Sequence, residues 1–370
     1  MSFYKTIRIL DDRYLLDMVE STTTWEIEAL VNQKKIDEKG FLKLLSPAGS
    51  RSLEKMAQKS RKESLNHFGK AILLYSPIYI SNYCVNRCIY CNFNHENNID
   101  RKILDKEEIR KEGEAVRETG VQHILILTGE SRTHTPVSYI EDALDVLVPI
   151  FSSVVLEVYP LKEDEYRRLI KAGADGVTIY QETYDETVYD KVHLAGPKKD
   201  YAFRLDAPER SLKAGARTIS LGVLLGLADW RLDLFKLGLH AKYLSDRYPD
   251  AEIGLSLPRI KKIGTSETAR VDYQSVSDRD FVQMMCALRL FLPFCTINIS
   301  TRESSDFREK LIPIGINKMS GGVSTEVGGY ATNKNGCNQF EISDHSSVED
   351  VMAMIEKAGY QPIMKDWMTL

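Results

Sequence analysis

Cys84, Cys88 and Cys91 fall within the short run Cys84-Val85-Asn86-Arg87-Cys88-Ile89-Tyr90-Cys91. Thiolates are soft ligands, and three on one loop with C-x3-C-x2-C spacing suit an iron–sulfur cube, which takes four. One iron is then left open to a small molecule. A zinc site asks for four Cys or His ligands in two close pairs, and the second pair is missing. His95 follows Cys91 by four residues but sits in a polar stretch, 92–98. A disulfide framework does not suit a chain of this size without a secretion signal. Cys286, Cys295 and Cys337 are widely spaced, and Cys286 reads as a small buried hydrophobe in an apolar helix.

Such a loop needs a rigid support, and the chain offers one from residue 71 onward. Short apolar runs alternate with stretches of helical apolar spacing. Strands are expected at 71–81, 121–127, 154–158, 176–180, 219–225, 252–257, 296–300 and 314–319. Helices are expected at 106–119, from Pro136 onward, and at 163–172, 208–214, 231–244 and 279–291. Asp105 and Glu108 have the spacing of a capping box, and Gly120 stops the helix they open. Eight strand–helix units predict an α/β fold, a (β/α)8 TIM-type barrel over 71–320. An open doubly wound sheet competes, but no G-x-G-x-x-G follows the first strand. Residues 1–70, highly charged with helical spacing at 25–31, 36–45 and 52–68, predict an N-terminal helical cap. Residues 321–370 are expected to form a short C-terminal extension packed on the barrel.

At 370 residues the chain is long enough for one large barrel or two ordinary domains. A net charge of −4 with no basic stripe argues against nucleic-acid binding. No apolar run approaches the roughly 18 residues of a membrane span, and the N-terminus lacks a signal-peptide core. A cytoplasmic location is expected, where a low-potential cluster is protected.

Barrel chemistry gathers beyond the C-terminal strand ends, and polar or glycine-rich outliers recur there. Thr128-Gly129-Glu130 follows the second strand, with a glycine that permits close backbone approach to a ligand. Glu157 ends the third, where a carboxylate must be hydrated, paired or used. The polar run Tyr180-Gln181-Glu182-Thr183-Tyr184 ends the fourth. Arg204 can hold a carboxylate in bidentate fashion or make a surface salt bridge. Gly222 and Gly226 mark close approach in the fifth strand. Ser256-Leu257-Pro258-Arg259 and Ser300-Thr301-Arg302-Glu303 end the later strands. Arg302, with Ser300 beside it, suits the carboxylate of an amino-acid substrate. Arg259 is a second choice, with a structural role as its alternative. His240 is a candidate for the distal pocket, against the reading of a satisfied helix histidine.

A cysteine loop with Tyr90 just before its last thiol, one strand ahead of Gly129-Glu130, resembles the radical S-adenosylmethionine (SAM) superfamily. The resemblance implies one [4Fe–4S] cluster on Cys84, Cys88 and Cys91. SAM would occupy the open iron and be cleaved to a carbon radical. It also implies SAM contacts from Tyr90, Gly129, Glu130, Glu157, Arg204, Gly222 and Gly226. Asp229 stands where the G-x-I-x-G-x-x-E element of the superfamily has glutamate. An iron–sulfur electron carrier or sensor, the reading from another class, leaves the series of strand-end residues unexplained.

Nine motifs in order carry the resemblance further: Tyr-Cys-Val-Asn-Arg-Cys-Ile-Tyr-Cys (83–91), Leu-Thr-Gly-Glu (127–130), Val-Tyr-Pro-Leu (158–161), Tyr-Gln-Glu-Thr-Tyr (180–184), Leu-Leu-Gly-Leu (224–227), Ser-Leu-Pro-Arg (256–259), Ser-Thr-Arg-Glu (300–303), Gly-Gly-Tyr (328–330) and Lys-Asp-Trp (365–367). Together they are similar to the 2-iminoacetate synthase family, the tyrosine lyases of thiamine biosynthesis. That implies cleavage of the Cα–Cβ bond of L-tyrosine to 2-iminoacetate (dehydroglycine) and p-cresol. It also implies a thiazole synthase as recipient of the imine and a flavodoxin- or ferredoxin-type reductant. Tyrosine lyases of hydrogenase maturation carry a further C-terminal domain with three more cysteines. Here Cys337 alone follows Cys295, which favours the thiamine type. Tryptophan-cleaving relatives would differ mainly in the side-chain pocket.

Overall fold

The computed structural model describes residues 2–261, 273–332 and 337–365. Eight parallel strands follow one another around a closed ring: β1 (Ala71–Ser81), β2 (His123–Thr128), β3 (Ser153–Glu157), β4 (Gly176–Glu182), β5 (Thr218–Val223), β6 (Glu252–Ser256), β7 (Thr296–Ile299) and β8 (Lys318–Ser320). β8 returns to pair with β1, Leu74 opposite Met319, and β1 pairs with β2, Ile78 opposite Ile126. The expected (β/α)8 barrel is the fold of the chain. Side chains alternate across each strand. Along β1, Ile72, Leu74, Ile78 and Ile80 are buried in the hydrophobic core, while Tyr75, Pro77 and Tyr79 line the cavity inside the barrel.

Helix starts follow the local chemistry. Asp105 and Glu108 form a reciprocal capping box on the helix Lys106–Glu118, and Ser277 and Asp280 do the same for Asp278–Phe291. The eighth strand begins later than expected, at Lys318, because residues 312–314 are taken up by a 3-10 turn containing Pro313. A ninth strand, β9 (Gln361–Ile363), pairs with the start of β1. Three residues containing a proline carry no periodic signal, and the sequence reading misses it.

The N-terminal helices pack along the outer helices Trp230–Arg247 and Asp278–Phe291. Phe41 stacks on Phe291 at 4.4 Å and fills the space over Gly238, where a side chain would strike its ring. Gln283 donates to the carbonyls of Leu44 and Ser46, both at 2.8 Å, which ties the extension to the barrel. At the other terminus, residues 337–344 cross the barrel mouth. The fully buried guanidinium of Arg308 pairs with Asp344 and donates to the Ser320 carbonyl, and the Ser343 amide donates to Thr301 O at 2.8 Å. Of the Lys365-Asp366-Trp367 motif, only Lys365 lies within the described residues.

The barrel interior departs from the branched apolar layers usual in this architecture. Thr178, Thr218, Ser220, Ser256, Asn298 and Lys318 line a second, polar cavity of about 30 Å³. Tyr75 and Tyr180 line both this space and the main cavity. Their hydroxyls are fixed: Asn298 donates to Tyr75 at 2.9 Å and Tyr180 donates to Ser256 at 3.0 Å. Among the described residues no helix is long and apolar enough to cross a membrane.

Candidate active site

The mouth of the barrel holds a cavity of about 190 Å³ lined by all three clustered cysteines. The segment carrying them leaves β1 without regular structure, so its shape depends on side-chain and cross-loop bonds. Val85 donates to Glu130 O at 2.8 Å, Arg87 to Ala195 O at 2.9 Å and Ile89 to Val192 O at 3.1 Å. Arg101 donates to the carbonyls of Asn82, Phe93 and Asn94, gathering both ends of the loop. Gly129 lies directly behind it, and a Cβ there would collide with the Tyr83 carbonyl. Close approach therefore explains this glycine: the strand end abuts the loop.

Cys88 is buried, while Cys84 and Cys91 are half-buried. Burial pushes the Cys91 thiol up to about 11, with the neighbouring Cys84 adding to it, and raises Cys88 further. The Lys198 ammonium opposes both shifts. Among the described residues no three His, Cys, Asp or Glu groups converge as a single metal ion would require. A cubane instead takes each thiolate at a separate iron. Three thiols on one wall, a loop held by its own bonds and a bare glycine behind it fit such a cluster. His95, weighed as a fourth ligand, is exposed.

The ends of β2 to β5 supply the charged part of the wall. Asn86 donates to Glu130 at 2.5 Å, linking the cysteine loop to the Thr128-Gly129-Glu130 turn. Glu182 has φ 72°, the one left-handed non-glycine residue described, at a bulge where β4 slips against β5. Its carboxylate pairs with Lys198 at 2.6 Å and lies 3.9 Å from Arg204. Arg204 is buried and donates its Nε to Tyr180 O at 2.7 Å. Two cations against one carboxylate leave a net positive corner beside Cys88, suited to an anionic ligand group. Tyr90 is held by its hydroxyl, 2.7 Å from His193 Nε2. Burial lowers His193 to about 2, so the imidazole stays neutral; its Nδ1 donates to Tyr189 O and Nε2 accepts from Tyr90.

Ser300, Thr301 and Arg302 line the cavity beyond β7. The Arg302 guanidinium lies 3.4 Å above the Phe340 ring and has no hydrogen-bonded or ion-paired partner among the described residues. Glu157, at the end of β3, also lines the cavity. Burial first and the Glu182 carboxylate second raise its carboxyl to about 7.

Four expected positions stand elsewhere. His240 lies outside the cavity, stacked on Phe3 at 4.1 Å with Nδ1 3.0 Å from the Tyr184 hydroxyl, so it belongs to the packing of the N-terminal helices. Arg259 is also outside, paired with Glu303 and with Asp278 at 2.7 Å, which makes it a brace between the ends of β6 and β7. Gly222 is not a cavity residue; it leaves room for the Tyr180 ring. Gly226 forms a turn with φ 110° beside Ile260, while Leu224 reaches the cavity in its place. Asp229 caps the helix Trp230–Arg247. The sequence alone does not single out Lys198, Gln339 or Phe340, and it shows Glu182 only within a polar run. That run is the available signal for Glu182; Lys198 sits in a single 3-10 turn and Gln339 and Phe340 on an irregular segment, and periodicity reveals the course of neither.

The family model described as "Radical SAM superfamily" matches residues 78–237, and the "Biotin and Thiamin Synthesis associated domain" matches 256–361. With the closed barrel and the three-cysteine mouth, these define a radical SAM enzyme, which employs a [4Fe–4S] cluster and SAM. A 2-iminoacetate synthase of Escherichia coli (strain K12) is 39% identical, over 94% of this chain and 92% of the relative. The chain belongs to the 2-iminoacetate synthase family. A 3-methylornithine synthase of Methanosarcina acetivorans is more distant, 26% identical over 74% of this chain and 75% of its own. Among solved structures, HydG, described as a maturase of the [FeFe]-hydrogenase, superposes with a TM-score of 0.88 at 31% identity. That match covers 95% of this chain and 79% of HydG.

Proposed function

We propose that this chain cleaves the Cα–Cβ bond of L-tyrosine to 2-iminoacetate and p-cresol, supplying the imine for thiazole assembly. The observation that carries the assignment is Arg302. It is a half-buried cation with no partner among the described residues, stacked on Phe340, in the cavity that also holds the three cysteines. The carboxylate of an amino acid completes it.

Cys84, Cys88 and Cys91 would hold the cluster, and bound SAM supplies a hydrogen-abstracting carbon radical when the cluster is reduced. Lys198 and Arg204, with Glu182 between them, offer the positive corner for the carboxylate of SAM. The Gly129-Glu130 turn would hold its ammonium group. Ser300 and Arg302 orient the tyrosine carboxylate. Phe93, Leu125 and Leu127 add apolar wall, and Val323, Gln339 and Phe340 close the cavity from the C-terminal side. These walls keep water from a hydrolysable imine. The barrel over 71–320 acts as the catalytic unit, with the flanking extensions as support. A thiazole synthase receives the product, and a flavodoxin- or ferredoxin-type protein supplies electrons.

The test is anaerobic turnover of cluster-loaded protein with SAM, reductant and L-tyrosine. p-Cresol, 5′-deoxyadenosine and glyoxylate, from imine hydrolysis, are expected. 5′-Deoxyadenosine without p-cresol would refute the assignment, and cyanide among the products would move the chain to the hydrogenase-maturation type.

A further inference from the structure

The cavity is lined by three carboxylates. Glu130 accepts from Asn86 at 2.5 Å and Glu182 pairs with Lys198 at 2.6 Å. Glu157 has neither a hydrogen bond nor an ion pair among the described residues. An unpaired carboxylate facing a barrel mouth is costly unless water, a ligand or a proton completes it. The phenols nearest in the charge pattern are engaged: Tyr79 donates to Gln339 at 2.8 Å, Tyr180 to Ser256 at 3.0 Å, and Tyr75 accepts from Asn298 at 2.9 Å.

Its place in the ring matters as much. β3, which ends in Glu157, and β7, which leads into Arg302, lie four strands apart in either direction, so the two residues face each other across the mouth. Each influences the ionisation of the other. An amino acid anchored at Arg302 by its carboxylate extends its side chain toward β3.

We propose that Glu157 accepts the phenolic proton of bound tyrosine as the Cα–Cβ bond breaks and returns it when p-cresol forms. This rests on the tyrosine-lyase reading. Once the substrate amino group has lost a hydrogen atom, Cα–Cβ homolysis leaves the imine and a benzylic fragment. Transfer of the phenolic proton to Glu157 makes that fragment an oxidobenzyl radical anion, with its spin and charge spread over ring and oxygen. One electron from the low-potential one-electron reductant and one solvent proton complete the methyl group. The Glu157 proton restores the phenol. General acid–base groups work best with an ionisation near the operating pH, and burial with the Glu182 carboxylate raises Glu157 to about 7. The charged and titratable groups facing it are Tyr75 and Tyr79 from β1, Tyr180 and Glu182 from β4, Lys198 from the 3-10 turn Pro197–Lys199, Arg204 from the short helix Tyr201–Leu205, and Arg302 beyond β7.

The experiment compares wild type, Glu157→Gln and Glu157→Asp, each loaded with cluster. Equilibrium dialysis with SAM and with tyrosine should give Glu157→Gln wild-type dissociation constants. 5′-Deoxyadenosine should still form while p-cresol falls by about 100-fold or more, the usual worth of a general base. The wild-type limb of the pH–rate profile near neutrality should vanish in Glu157→Gln and persist, at a lower rate, in Glu157→Asp. Supplying 3,5-difluorotyrosine, whose phenol ionises unaided near neutral pH, should restore cleavage in Glu157→Gln. Wild-type cresol formation by Glu157→Gln would overturn the proposal, as would weakened SAM binding, or no rescue by the fluorinated substrate. If wild type itself releases no p-cresol, it is the lyase reading that fails.

Discussion

Lys198 binds Glu182 at 2.6 Å inside the cavity, and it does so across a backbone conformation that only Glu182 adopts among the described non-glycine residues. A left-handed glutamate at a strand end is strained, and such strain persists where surrounding contacts hold it. Lys198→Met leaves the carboxylate with only the more distant Arg204. Removing one partner of a buried pair costs about 3–5 kcal/mol. Chemical denaturation of the metal-free protein should show a loss toward the lower end, since Arg204 remains. Adding Glu182→Gln to Lys198→Met should recover part of it. SAM affinity, measured on the cluster-loaded protein, should fall in both variants.

Gly129→Ala addresses the contact between strand end and cysteine loop. Its Cβ would meet the Tyr83 carbonyl and approach the Cβ of Cys84 at 3.1 Å. The loop must move outward, so the variant should take up less iron and sulfide than wild type under the same reconstitution. Far-UV circular dichroism should stay the same, because the strand itself remains paired.

Arg302→Ala removes the proposed carboxylate anchor. A charge-assisted hydrogen bond is worth about 1.5–3 kcal/mol, so the KM for tyrosine should rise roughly 10- to 100-fold. The electron paramagnetic resonance signal of the reduced cluster should be unchanged, since among the described residues no hydrogen bond or ion pair joins the Arg302 guanidinium to the cysteine loop. Phe340→Ala should show a weaker rise, through loss of the ring that holds the guanidinium flat.

His240 offers a pH test of stability. Burial lowers its ionisation from 6.5 to about 3, so the folded chain keeps the imidazole neutral while the unfolded chain protonates it. That contribution is present above pH 6.5 and is lost as pH falls from there toward 3. The midpoint of thermal unfolding should therefore decline through this window, and His240→Asn should flatten the decline. Its KM for tyrosine should match wild type, because His240 lies outside the cavity.

The parts legible in the sequence share one property: their chemistry is local. The capping box Asp105–Glu108, the strand Ala71–Ser81 and the cysteine spacing are each encoded within a few neighbouring residues. Arg259 and Arg302 close similar strand-end motifs, yet one is braced by Glu303 and Asp278 and the other stands unpaired in the cavity. Only the fold decides which arginine finds a carboxylate. The same holds for Lys198, which reaches the cysteines because residues 194–196 lie against the loop at Val85–Arg87. β9 and the wall formed by Gln339 and Phe340 depend on chain returns too short or too irregular to show periodicity.

Thr301 O accepts from both the Ser343 and Asp344 amides, which fastens the segment bearing Phe340 to the turn that carries Arg302, and Arg308 pairs with Asp344 from the helix that follows. The proposed substrate anchor and the cavity wall are therefore joined through one turn. A hinged door cannot be made from this side of the mouth without exposing a lone guanidinium or carboxylate. A passage for tyrosine and its fragments is therefore expected elsewhere in the rim, with the C-terminal wall as the jamb beside it.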